Sequence, residues 1–175
     1  FTALQAIVYY VVKTLIDGDT PANAGFHRPV HIVATPGTVV NALPPAAVYS
    51  RHEVAQRLAD MMLSALAQAI PDRVIAAGTG ITVMTTSGLH PRTGRFYVYN
   101  ESMGGGGGAR ALQDGLDGVH MHLTNSANIP VEALESEYPL MVDSYALVRD
   151  SGGAGQFRGG MAIRRQVRAV GHQAT

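Results

Sequence analysis

The sequence contains no cysteine, which removes disulfide frameworks, thiolate nucleophiles and thiolate metal sites at once. Neither charge is in excess. Thirteen basic residues balance thirteen acidic ones, so nothing global draws the chain to nucleic acid or to an anionic membrane. Long hydrophobic runs are missing too: the longest, LQAIVYYVVKTLI from Leu4 to Ile16, is broken by Gln5 and Lys13 and is too short to span a bilayer. It has neither the basic flank nor the small-residue cleavage site of a secretory leader, and a cytoplasmic location is the expectation. A G-x-S-x-G elbow and an H-E-x-x-H helix are also absent, which removes the common serine-hydrolase and zinc-protease signatures. What survives these exclusions is a protein that meets a small, specific ligand or another protein.

With 175 residues, 46% of them hydrophobic and 15% charged, the chain can bury one sizeable core, so residues 1–175 read as a single domain or as a fragment of a larger chain. Leu4, Ile7, Val8, Val11, Val12 and Leu15 recur at helical spacing and the DGD at 17–19 stops them, which predicts a buried helix. VHIVA at 30–34 reads as a short strand. Ser50 and Glu53 have the spacing of a capping box. The helix they open would bury Val54, Leu58, Met61, Met62, Ala65, Leu66 and Ala69, pair Glu53 with Arg57, and end at Pro71. ITVMTT and RFYVYN predict a hairpin across SGLHPRTG. PVEALESEY predicts a short helix, and LMVDSYALV and MAIRRQVRAV predict two further strands. The expected class is α+β: a mixed sheet with two main helices and glycine-rich loops.

Chemistry concentrates in GGGGGARALQDGLDGVHMHLTNSANIP. A phosphate-binding loop of Walker type follows its last glycine with Lys and Ser or Thr; here Ala109 and Arg110 follow Gly108, which argues against a nucleotide site. Five consecutive glycines cost much ordering entropy, which favours a loop in contact with ligand or partner. His120, His122 and Thr124 alternate with Met121 and Leu123, so a strand would place the three polar groups on one face. Two imidazoles so placed suit general acid–base work or metal ligation, or equally a structural pair holding loop carbonyls. Asn125 and Asn128 add amides for ligand fixing or turns, and Arg110 and Arg158 can each fork onto a carboxylate or phosphate.

The stretch from Gly104 through Arg165, together with AGFHRPVHIVATPGTVVNALPPAAVYSR upstream, resembles the hydantoinase B / 5-oxoprolinase family, which also holds the large subunits of acetone and acetophenone carboxylases. The resemblance covers practically the whole chain, as a C-terminal-side fragment of a longer B-type chain. It implies a hydrolase of C–N bonds in cyclic amides, of N-methylhydantoinase or 5-oxoprolinase type. An ATP-using hydantoinase A-type subunit or fused domain would activate the ring, and this chain would complete its opening. It implies His120, His122, Thr124 and Asn125 as catalytic residues. Gly104, Gly105, Gly106, Gly107, Gly108, Arg110 and Asn128 would contact the substrate, a small cyclic amide. ATP belongs to the partner; no metal is assigned to this chain, the metal motif of the carboxylase relatives lying in a segment upstream. A carboxylase fragment, or a non-catalytic domain that docks the partner, are the alternatives.

Overall fold

The computed structural model describes residues 1–124 and 126–172. In chain order it holds α1 (Thr2–Ile16), α2 (Ala24–His27), α3 (Arg51–Leu66), β1 (Thr82–Leu89), β2 (Phe96–Met103), α4 (Val131–Glu137), β3 (Leu140–Leu147) and β4 (Ile163–Ala169). No helix among the described residues is long and apolar enough to cross a membrane.

Helix α1 forms as its spacing predicts: Ile7, Val11 and Leu15, four residues apart, are buried against Ala55, Ala59 and Leu63 of α3 and against Val74. Each such large side chain removed from water contributes about 1.5–3 kcal/mol. The inward face of α3 differs from the expected one. It carries Ala55, Gln56, Ala59, Asp60 and Leu63, whereas Met61 is 65% exposed and Leu58, Met62 and Leu66 lie half-buried at the margin. Alanines let the two helices approach, and the polar members of that face are bonded to a distant turn described below.

Two local expectations at this helix fail. Ser50 occupies the N-cap position but its side chain makes no cap hydrogen bond, because its backbone, at φ −82° and ψ 24°, is not in the extended conformation that aims a cap hydroxyl at the first turn. Arg57 turns away from Glu53 and donates to the carbonyls of Gly78 (3.2 Å) and Thr79 (2.9 Å). The VHIVA segment is not a strand: it finds no ladder among the described residues, and Val33 is 95% exposed.

The α+β class holds, with the strands arranged as two separate antiparallel pairs and not as one mixed sheet. β1 pairs β2 from Thr82↔Met103 to Leu89↔Phe96. β3 pairs β4 from Leu140↔Ala169 to Leu147↔Ile163, with an irregularity at Val142/Ser144. Helix α4 buries Leu134 against Tyr99 and Leu140, which makes a second small core.

Between the hairpins the glycine run forms a packed layer of backbone. Gly105 pairs with Val119, the N–H of Gly107 donates to Leu116 O (2.8 Å), that of Gly160 to Gly107 O (2.8 Å), and that of Thr79 to Gly106 O (2.8 Å). Residues 104–108 are all buried. A Cβ on Gly106 would lie 2.0 Å from Gly160 O, and one on Gly108 would lie 1.7 Å from Ala76 O. These are distances no side chain tolerates, so the run is glycine because neighbouring backbones occupy the space of its side chains.

Candidate functional site

Residues 120–124 are not a strand. His122 has φ 51°, the left-handed region that His, Asn and Asp enter more readily than most residues. The turn there sends the two histidines to different partners, so the expected shared face of His120, His122 and Thr124 does not form.

His120 belongs to the glycine side. Its Nε2 lies 2.8 Å from Asn128 Oδ1, an oxygen that also accepts the N–H of Gly104 at 2.9 Å. The Asn128 amide nitrogen donates to Tyr145 Oη (2.8 Å), which fixes the oxygen toward the ring. The Gly104 N–H also lies 3.0 Å from Nε2, so the tautomer sets the roles. With the proton on Nε2 and donated to the Asn128 oxygen, Nδ1 is an acceptor 3.4 Å from Ser126 Oγ. With the proton on Nδ1, the ring donates to Ser126 and Nε2 accepts from Gly104. One ring nitrogen is thus held, and the other faces a hydroxyl.

His122 belongs to the helices. Its side chain is 1% exposed and its Nε2 sits 3.0 Å from Asp60 Oδ1, with the Asp60 side chain 7% exposed. Tyr10 Oη of α1 is 3.2 Å from its Nδ1, and the two rings meet edge-on at 5.9 Å. Burial, and then the charge of Asp60, push the Tyr10 hydroxyl above the ordinary tyrosine range. The ring therefore joins α1, α3 and the 120–124 turn.

Thr124 donates its hydroxyl to Met121 O (2.7 Å). The Gln56 amide nitrogen reaches the same carbonyl at 2.9 Å and Thr124 Oγ1 at 3.3 Å. Thr124, Ser126 and Gln56 line a cavity of about 390 Å³ with Ser102, Arg51 and His52. Asn125 lies outside the described residues.

The glycines have little left to offer a substrate through their N–H groups. Those of Gly104, Gly105, Gly106 and Gly107 are bonded to Asn128, Val119, Thr79 and Leu116. Gly106, Gly107 and Gly108 border a different cavity, of about 440 Å³, with residues 76–79 and with Gly159 and Gly160. Arg110 lies elsewhere again, beside Pro71, Ile75 and Phe157. Arg158 is paired with Asp117 (2.8 Å) and Asp114 (3.6 Å), and its hydrogen bond, followed by that of the Met161 N–H, holds the Asp117 carboxyl below the usual carboxylate range. No group of three or more His, Cys, Asp or Glu among the described residues is placed to hold a metal ion.

Tyr10, Gln56, Asp60 and Ser126 are the site residues that sequence reasoning passed over. The available signal was faint: Gln56 and Asp60 stand four apart on a helix face whose other members are alanine and leucine. Below the site, Glu101 and Arg165 form a buried ion pair at 2.7 Å, with side chains 2% and 1% exposed. Glu101 also takes the Tyr99 hydroxyl and the N–H of Ile129 (2.7 Å), which anchors the chain directly after Asn128.

Comparison with known proteins then decides the family. The family model for hydantoinase B/oxoprolinase matches residues 1–175. The chain belongs to the hydantoinase B/oxoprolinase family. Among its relatives in this family, the caprolactamase subunit beta of Pseudomonas jessenii is 33% identical over 175 residues, covering 96% of this chain and 30% of that protein. The 5-oxoprolinase PfmaA of Pestalotiopsis fici is 32% identical over 171 residues, covering 94% of this chain and 13% of that protein. The crystal structure of the ATP-dependent caprolactamase from Pseudomonas jessenii superimposes with a TM-score of 0.75 at 31% identity, covering 94% of this chain and 30% of that one. The chain thus spans less than a third of the length of these hydantoinase B/oxoprolinase relatives.

Proposed function

We propose that this chain is part of the B-type subunit of an ATP-dependent cyclic amide hydrolase, which opens a hydantoin- or oxoproline-like ring with an ATP-using A-type partner in the cytoplasm. The observation that carries the reading is the similarity to an ATP-dependent caprolactamase along 94% of the chain, a protein that by its name acts on a lactam. The local chemistry is consistent with it. Hydrolysis of an activated amide needs a base for water and a fixed geometry around it. In this reading His120 is the base: Asn128 holds Nε2, and Nδ1 takes a proton from a water resting against Ser126, whose hydroxyl is 3.4 Å away on the wall of the Thr124 cavity. His122, buried between Asp60 and Tyr10, is a positioning residue that sets the turn leading to Thr124.

The experiment uses the intact subunit with its ATP-using partner. Hydantoins and 5-oxoproline are supplied with ATP, with and without bicarbonate, beside a ketone control. ATP-dependent ring opening indifferent to bicarbonate is expected, and His120→Gln should lower kcat by about 10²–10⁴. Bicarbonate-dependent consumption of the ketone alone would overturn the hydrolase reading in favour of a carboxylase. No turnover of either substrate class would favour a docking domain.

A further inference from the structure

A neutral His120 can carry its proton on either ring nitrogen, and only one form leaves Nδ1 able to take a proton on the Ser126 side. Asn128 decides between them. The Gly104 N–H can only donate, so the amide atom 2.9 Å from it is the oxygen, and the same oxygen lies 2.8 Å from His120 Nε2. A proton on Nε2 makes that contact a hydrogen bond. A proton on Nδ1 instead sets the Nε2 lone pair against the oxygen, two acceptors in contact, with the Gly104 N–H at 3.0 Å as the one donor left to it. The Nε2–H form is favoured for as long as the Asn128 oxygen stays in place.

Tyr145 keeps it there. The Asn128 amide nitrogen donates to Tyr145 Oη at 2.8 Å and has no other acceptor among the described residues. Although Tyr145 is 42% exposed, its ring is seated: it stands directly opposite Arg165 in the β3–β4 ladder and lies over the guanidinium, with the ring centroid 5.2 Å from Cζ. Arg165 is fixed in turn by two bonds to Glu101, at 2.7 and 2.9 Å. The same ion pair grips the residue after Asn128, since Glu101 accepts the Ile129 N–H at 2.7 Å and Arg165 donates to Ile129 O at 3.3 Å. Asn128 is thus held through its side chain and through its backbone by one buried charged pair.

We infer that Tyr145 is a positioning residue that sets the tautomer of His120 through Asn128, with Arg165 seating its ring. Its importance for turnover rests on the reading of His120 as the base, because that role needs Nδ1 unprotonated; the tautomer itself belongs to the resting protein. An oxygen behind a histidine ring fixes the ring proton for work at the far nitrogen. Without the Tyr145 oxygen, nothing holds the amide nitrogen away from the ring. Turned toward Nε2, that nitrogen donates to it and stabilises the Nδ1–H form, which has no lone pair on the Ser126 side.

Nitrogen–proton correlation spectra of the intact subunit, labelled with ¹⁵N-histidine, test this at about pH 8.5, where an ordinary histidine is neutral. The His120 signals are those lost in His120→Gln. The parent is expected to carry the proton on Nε2. Tyr145→Phe keeps an aromatic ring over Arg165 and removes only the hydroxyl. It should leave the Nε2–H form at about a tenth of the population, the effect of one hydrogen bond. With ATP and the A-type partner, kcat for ring opening should fall by the same factor of about ten, with KM nearly constant. Asn128→Asp presents an oxygen to Nε2 in either orientation, so the double variant Asn128→Asp/Tyr145→Phe should return the proton to Nε2. A parent protonated on Nδ1, a Tyr145→Phe variant with the parent tautomer, or a double variant that does not restore the Nε2–H form would each overturn the role of Tyr145. If the tautomer moves as stated while kcat does not, His120 is not the base, and the hold of Tyr145 on the ring stands. If no cyclic amide is turned over by the parent, the hydrolase reading fails, and the spectra still decide the tautomer.

Discussion

Replacing His122 by alanine should damage the fold before it damages the chemistry. Three losses follow from the geometry. The hydrogen bond to the buried Asp60 carboxylate, at 3.0 Å, is of the charge-assisted kind that contributes about 2 kcal/mol, and the contact with Tyr10 at 3.2 Å adds about 1 kcal/mol. The backbone at φ 51° costs an alanine about 1 kcal/mol more than it costs residues that accept the left-handed region. Asp60 keeps only the Gly78 N–H at 3.4 Å and Arg57 at 3.5 Å, both long, so neither offsets the loss. The sum is about 4 kcal/mol, a large part of a typical domain stability of about 5–15 kcal/mol. Urea denaturation of the intact subunit should show it as a lower midpoint at unchanged slope. His122→Asn accepts the same backbone and can still donate toward Asp60, so it should recover about half of the loss. The asparagine variant should also keep the shape of the pH–rate profile, since it alters positioning and not the proton carrier. An alanine variant that loses less than about 1 kcal/mol, or an asparagine variant that is stable yet has lost one limb of its pH profile, would refute the positioning role.

Gly108→Ala should prevent folding, with a Cβ 1.7 Å from Ala76 O, whereas Gly18→Ala, which meets nothing within 4 Å, should stay within about 0.5 kcal/mol of the parent; soluble yield and thermal midpoint read both. At alkaline pH, Tyr99 should become a liability. Burial first, then the hydrogen bond and the charge of Glu101, hold its hydroxyl well above the ordinary tyrosine range. Between the unfolded value near 10 and the folded one the native state keeps a proton that the unfolded chain releases, so stability falls as pH rises above about 10. Tyr99→Phe should flatten that decline in a denaturation series from pH 8 to 11.

Periodicity made the secondary structure legible wherever large apolar side chains set the pattern. The α1 stripe of Ile7, Val11 and Leu15 and the strand pairs built on TVMTT, FYVYN and LMVDSYAL stand where their alternation or spacing places them. Where alanine does the packing the signal faded: Met61 and Leu58 outweighed Ala55 and Ala59 in the sequence, although the smaller residues hold the helix contact. Alternation also misled at His120–Met121–His122, because a turn with one left-handed residue separates neighbouring side chains as a strand does, without leaving them in register. The partners of His122 lie far away in the chain, at Tyr10 and Asp60, and nothing local to either residue announces the pairing. The glycine run was legible as unusual, but its packing was not: its cost in ordering entropy is offset by backbone packing and backbone hydrogen bonds that glycine alone allows.

That packing still reaches the candidate site at one point. Gly104 is the end of the run that touches His120: its N–H lies against both the Asn128 oxygen and His120 Nε2, and a Cβ there would lie 2.7 Å from the ring carbon Cδ2 and the backbone nitrogen of His120 and from the carbonyl carbon of Val119. The obstruction is milder than at Gly108: one of the three contacts is a ring that can tilt, and the other two are backbone that must shift. Gly104→Ala is therefore expected to fold, with some loss of stability, and to displace the imidazole from Asn128 by several tenths of an ångström. If His120 is the base, such a displacement moves Nδ1 off the water it serves, and misplacement on the scale of 1 Å costs about 10² in rate. A fall in kcat of up to that size, with KM nearly constant and the chain folded by circular dichroism, would tie the glycine layer to catalysis through one hydrogen-bonded corner. An unchanged kcat in a folded Gly104→Ala variant would mean that the Gly104–Asn128–His120 corner serves the fold alone, and the search for the base would move to Ser126, Thr124 and the cavity they line.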